Sequence, residues 1–168
     1  MFGLLKILIG GIIRYGWPCY VRRPLDFRGR ATRRDYWFTA ALFAVLVNLG
    51  FFLGLIFLSE WIKDEILLMR IGYGMMALIA LPVLSAMVRR LHDRGHGAWP
   101  VVLYIALVLI YWQVPSAWLG LGFYILNTYL LVMMCLPGQV GANKYGPDPR
   151  DEDELYHEVW HEEYQRLR

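Results

Sequence analysis

Four apolar runs divide the chain, at residues 36–58, 66–88, 98–114 and 117–137, with short polar stretches between them. Their lengths suit α-helices that cross the roughly 30 Å hydrocarbon core of a bilayer. A backbone surrounded by lipid must satisfy its own hydrogen bonds, so all four are predicted as transmembrane helices. Tyr36, Trp37, Trp61, Trp99, Tyr111, Trp112 and Trp118 sit at or near the run ends, where amphipathic rings meet the headgroups. The opening MFGLLKILIGGII is shorter and is flanked by Lys6 and Arg14. It lacks a basic n-region and a small-residue cleavage site, and residues 1–24 are read as an interfacial amphipathic segment. In residues 150–168, Leu155, Tyr156, Val159, Trp160, Tyr164 and Leu167 recur at helical spacing among acids, which predicts an acidic amphipathic helix. The fold class expected is therefore all-α: a polytopic membrane protein with four transmembrane helices in residues 25–149.

Composition sharpens this reading. Of the 168 residues, 58% are hydrophobic and 18% charged, against about 45–50% and 25% in soluble domains. Mean hydropathy is +0.39. A single soluble domain of this size cannot bury so much apolar surface. Orientation follows from the charges. Eight basic residues and two acids precede residue 36, and Arg89, Arg90 and Arg94 follow the second run. By contrast SEWIKDE, after the first run, holds one lysine against three acids. The positive-inside rule then puts both termini and the HDRGH loop in the cytoplasm, in a bacterial inner membrane. The two cysteines are too few for a disulfide framework. Cys135 is read as a small core residue, and Cys19 as exposed, either a free thiol or an acylated one.

Three polar stretches fall on that cytoplasmic side: DFRGRATRRDYW, RRLHDRGHGAW and GANKYGPDP. Part of each is local helix chemistry. Thr32 with Asp35 resembles a capping box. Gly95 suits a left-handed helix stop, Pro100 a first turn, and Asp148 with Pro149 the start of a tail helix. Capping does not account for Arg33 and Arg34, which the dipole disfavours at a helix N-terminus. An arginine-rich collar is expected, able to hold anionic lipid or an acidic partner segment. Its residues are Arg28, Arg30, Arg33, Arg34, Arg89, Arg90, His92, Asp93, Arg94, Asn143 and Lys144. His92 and Asp93 are expected to bond to each other within the turn.

The motifs FRGRATRRDYW, RRLHDRGHGAW and NKYGPDP, in that order around apolar runs, resemble the domain-of-unknown-function 805 family, the small bacterial inner-membrane proteins of the YhaH-like group. The resemblance covers residues 25–149, with His96 a departure where the family often has Arg or Lys. It implies a multi-pass inner-membrane protein with no assigned catalysis.

HEVWH, at residues 157–161, matches the zincin pattern in which two histidines bind zinc and a glutamate polarises water. Glu162 and Glu163 follow directly, and the peripheral tail offers nothing to close a dry pocket. His92 and His96 are a weaker metal pair, because Gly95 breaks the helix between them and arginines surround them. No metal, cofactor or catalytic residue is therefore expected. Nucleic acid is not expected as a partner, because these arginines lie at the membrane surface, where lipid phosphate is the nearer anion.

The leading expectation is a non-enzymatic membrane protein with the anion-binding collar. A transporter or channel component is the alternative, suggested by Asn48, Arg70 and Asn127, as is a subunit of a larger membrane complex. The asparagines are read as interhelical hydrogen bonds. Arg70 is expected to snorkel towards Asp64 and Glu65. Gly50 and Gly54 permit close helix approach, either within the chain or in a homo-oligomer.

Overall fold

The computed structural model describes residues 2–54, 62–114 and 116–151, and the described residues form helices and turns with no strand beyond an isolated bridge between Asn143 and Gly146. The helices are α1 (Phe2–Gly11), α2 (Trp17–Val21), α3 (Arg33–Leu53), α4 (Glu65–Asp93), α5 (Trp99–Gln113) and α6 (Ala117–Cys135), with one π-helical turn, Ile12–Gly16, joining α1 to α2. Helices α3, α4 and α6 are long and apolar enough to cross a membrane. Helix α5 is equally apolar but has 15 residues. Only 17–22% of the apolar window in each long helix is buried inside the protein. Phe51, Phe52, Leu78, Leu109 and Ile125 are among the side chains left outside, as expected of helices that lipid surrounds.

The chain divides into two compact units, and the division falls inside α4 after Ala86. In the first unit, Met1–Phe27 joins Arg34–Ala86. The α1–α2 segment is seated on α3 through glycines. A Cβ on Gly16 would lie 2.6 Å from the Phe38 carbonyl oxygen, and one on Gly11 would overlap the Phe38 ring. Small residues at such points let helix backbones approach closely. Cys19 is buried, whereas Cys135 in the second unit is exposed, so both cysteine expectations are reversed. The face a helix turns inward is a tertiary choice. Helix α1 leaves Leu5, Ile7, Leu8 and Ile9 exposed, with Gly3, Lys6 and Gly10 on the remaining arc.

Polar groups within these helices are satisfied locally. Thr39 Oγ1 donates to the Asp35 carbonyl at 2.5 Å, Asn48 Nδ2 to Ala44 at 2.7 Å and Ser85 Oγ to Pro82 at 2.9 Å. The Asn48 amide therefore serves its own helix, not a neighbouring one. Asp64 Oδ1 accepts from the amides of Ile66 and Leu67 and so caps α4. Gly50 and Gly54 have nothing within 4 Å of a built Cβ. They line an apolar cavity of about 380 Å³ with Phe51, Gly72 and Met76, rather than a tight seam within the chain.

The second unit contains Arg28–Arg33 and the chain from Met87 onward. Helices α5 and α6 pack on each other, with the Tyr104 and Phe123 rings 5.3 Å apart. Ser116 caps α6 by accepting from the Leu119 amide at 3.3 Å. Pro100 lies in the first turn of α5, and Leu91, Val101, Leu130 and Met134 are buried.

Candidate functional site

The residues RRLHDRGH end α4 in a glycine-capped turn. The His96 amide donates to the Leu91 carbonyl and the Gly95 amide to that of His92, both at 2.9 Å. Gly95 has φ +77°, a value that costs an L side chain about 1–3 kcal/mol. This Schellman geometry leaves the last turn of the helix facing two other segments. The Ala31 amide donates to the Arg89 carbonyl at 3.1 Å, and the Gln139 amide to that of Asp93 at 2.9 Å. All three polar motifs are thereby brought together.

At their junction lies a buried guanidinium. Arg30 Nε donates to Asp93 Oδ1 at 2.9 Å, and its Nη2 lies 2.8 Å from the same oxygen. Nη2 also donates to the Gln139 carbonyl at 2.5 Å, while Nη1 reaches the carbonyls of Gly141 at 2.6 Å and Gly146 at 3.5 Å. Four of these are hydrogen bonds and the Nη2–Asp93 approach is an ion pair, and the side chain is 1% exposed. Arg90, buried in turn, pairs with Asp93 Oδ2 and donates to the carbonyls of Ala31 and Leu136. Asp93 is thus shared between two arginines. Gly138 is where the third motif crosses it, since a Cβ there would overlap the Asp93 carboxylate.

Asp148 closes the third motif on itself. Its Oδ2 accepts from the Gly141 amide at 2.9 Å and from Arg150 Nη2 at 2.6 Å. Oδ1 accepts from the Arg150 amide and Nε. The Arg150 side chain, followed by these backbone donors, holds the carboxyl well below the usual carboxylate range. Reciprocally, Asp148 raises the Arg150 guanidinium. Arg150 Nη2 also donates to the Gln139 carbonyl at 2.7 Å.

The expected collar therefore separates into two sets. Arg30, Arg89, Arg90 and Asp93 are buried, so these members face the interior rather than an external anion. His92 and Asp93 do not bond to each other through their side chains as expected. The His92 Nδ1 lies 3.1 Å from the Gly29 carbonyl, and its ring stacks on Tyr145 at 3.9 Å. His96 faces the Arg94 carbonyl instead. Asn143 Nδ2 donates to the His92 carbonyl at 3.0 Å and to Gln139 Oε1 at 3.1 Å, and Arg94 to the Pro137 carbonyl. Arg28, Arg33, Arg34 and Lys144 are exposed. Arg34 belongs to the first unit, where it donates to the Tyr15 hydroxyl. The zincin-like tail motif lies outside the described residues.

Sequence reasoning missed Gln139, Gly138, Gly141 and Arg150. Gly138 and Gly141 act through the backbone or the lack of a Cβ, which leaves no side-chain signal, and Gln139 meets Asp93 and the arginines through its backbone. Asp148 was legible only as a helix cap. Chemically, the assembly is a polar clasp: the Asp93 and Asp148 carboxylates are occupied by guanidiniums, while the Nε atoms of Arg90 and Arg94 are buried without a hydrogen-bond partner.

A family model described as "Protein of unknown function (DUF805)" matches residues 24–147. Three Escherichia coli (strain K12) proteins are similar over most of their lengths. The inner membrane protein YhaH is 34% identical, covering 77% of this chain and 92% of its own. The inner membrane protein YhaI is 33% identical, covering 77% and 91%, and the uncharacterized protein YiiR is 31% identical, covering 75% and 87%. No solved structure matches the chain.

Proposed function

This chain belongs to the DUF805 family, and from that premise we propose that it is a non-enzymatic, multi-pass inner-membrane protein whose clasped cytoplasmic loops hold anionic lipid headgroups. In this reading four helices span the membrane, α5 being the short one, and both termini face the cytoplasm. The excess of arginine and lysine before α3 and after α4 supports that orientation.

One observation carries the functional reading. The clasp consumes Arg30, Arg90, Asp93 and Asp148 internally, while Arg28, Arg33 and Lys144 of the same unit stay exposed. A surface preorganised in this way adds about 1 kcal/mol per basic residue near an anionic leaflet. It offers no exposed carboxylate from the clasp to reject phosphate. Planar guanidiniums at Arg28 and Arg33 suit paired contacts to phosphate oxygens.

Native mass spectrometry of the gently extracted protein tests the proposal. Changing Arg28, Arg33 and Lys144 together to Gln lowers the retention of phosphatidylglycerol and cardiolipin while leaving phosphatidylethanolamine unchanged. Equal retention of anionic lipid by the variant would overturn it.

A further inference from the structure

The family match begins at residue 24, so the α1–α2 segment lies outside it. That segment is nonetheless built into the first unit. We propose that Phe2–Val21 is embedded in the hydrocarbon layer against α3 and α4, with lipid acyl chains covering the apolar side chains of α1.

Depth is argued from Tyr20. Its hydroxyl donates to the Ile79 carbonyl at 3.1 Å. Ile79 is the central residue of α4, fourteen positions from Glu65 and fourteen from Asp93, or about 21 Å from either end at the helical rise. The hydrocarbon core extends only about 15 Å on each side of its midplane, so a group bonded at that carbonyl lies within it. No water is available there, and a phenol needs a protein acceptor. Cys19, next to Tyr20, is 6% exposed.

The seat on α3 has the character of membrane helix packing. Gly16 brings its backbone onto the Phe38 carbonyl, Gly11 lies under the Phe38 ring, and Tyr15 stacks on that ring with centroids 5.7 Å apart. Arg14 and Arg34 each hold a guanidinium 5.4 Å from the centre of the Tyr15 ring, a contact that strengthens as water is excluded.

The occupant of the outer surface follows from continuity with the spans. Ile7, Leu8 and Ile9 are consecutive and all exposed, as are Leu5 and Ile13. Successive helical positions point about 100° apart, so these three side chains alone take up about 200° of the helix circumference and leave the narrower arc to Gly3, Lys6 and Gly10. An apolar arc that wide, left uncovered by protein, belongs in lipid. Lys6 is its one charge, and its long stem can carry the ammonium to the interface.

Depth-dependent fluorescence quenching tests the proposal on the full chain in phosphatidylcholine vesicles. Ile9→Cys, in a background of Cys19→Ala and Cys135→Ala, is labelled with an environment-sensitive dye, with Val45→Cys on α3 as the membrane reference. Embedding predicts quenching at both positions by lipids brominated deep in the acyl chain and none by aqueous iodide. Quenching by iodide, or only by lipids brominated near the headgroup, overturns the proposal. Protection from both quenchers overturns it too, because a second protein surface would then be the cover. Gly16→Leu should lower the acyl-chain quenching at residue 9 and open it to iodide. The milder Tyr20→Phe should move both readings in the same direction, and no movement in either variant refutes the docking on α3 and α4.

Discussion

Arg30 and Asp93 stand 63 positions apart and meet at 2.8 Å with side chains 1% and 4% exposed. Asp93 also holds Arg90, so one carboxylate balances two buried guanidiniums. Charges removed from water are tolerated only when paired and fully hydrogen-bonded, and removing one partner typically costs about 3–5 kcal/mol. Asp93→Ala is expected to fall in that range, seen as a lower thermal midpoint of the detergent-solubilised protein. Asp64→Ala, which removes an exposed helix cap, should cost only about 1 kcal/mol. Equal losses from the two would contradict the buried-pair account.

Arg30→Lys keeps the charge and loses the fork. An ammonium has three donors on one atom and cannot serve Asp93 and three separate carbonyls as a planar guanidinium does. The substitution should therefore be destabilising by about 1–3 kcal/mol, the range for leaving buried polar groups unpaired. Hydrogen exchange would show the loss at the amides of Gln139 and Ala31, which join the motifs. Wild-type protection at both would mean that the fork is dispensable.

Two glycines separate contact from conformation. Gly141 has φ +78° and open space where a Cβ would stand, so Gly141→Ala meets backbone strain alone, about 1–3 kcal/mol. Gly138 has no positive φ, yet a Cβ there overlaps the Asp93 carboxylate. That carboxylate cannot swing aside without releasing both arginines. Gly138→Ala should thus lower the thermal midpoint more than Gly141→Ala, and the reverse order would show that Asp93 is free to move.

The local rules were readable without coordinates. Gly95 ends α4 in the left-handed region, Pro100 begins α5, and Asp148 accepts from the Arg150 amide, each a relation between neighbours along the chain. The apolar runs likewise announced helices α3 to α6. Burial of arginine was not readable, because a basic residue is ordinarily solvated and only the meeting of distant segments encloses Arg30. The same reason applies to Cys19 and Cys135. Their flanking residues say nothing about which side of a helix meets another.

Cysteine accessibility follows from that reversal. In detergent, a small membrane-permeant maleimide should modify Cys135 readily and Cys19 slowly, since the first is exposed and the second buried. Cys135→Ser should remove most of the rapid labelling, with Cys19→Ser removing little, as read by intact mass. Rapid labelling of Cys19 in the folded protein would indicate that the α1–α2 segment does not stay seated on the helices it touches.

Asp148 sets the acid limb of stability. Its carboxyl is held well below the usual range, chiefly by the Arg150 side chain and then by the Arg150 and Gly141 amides. In the unfolded chain an aspartate titrates near its ordinary value of about 3.9. The folded state therefore binds fewer protons in the window below that value, and stability must fall as pH falls there. Above about pH 5 both states are ionised at this group, and its contribution is complete and constant. Asp148→Asn removes this proton linkage and weakens the hold on Arg150 and Gly141. The variant should be less stable at neutral pH and should lose less further stability on acidification. Thermal midpoints of both proteins between pH 7 and pH 3 check this, and parallel curves would show that Asp148 carries the same proton affinity folded and unfolded.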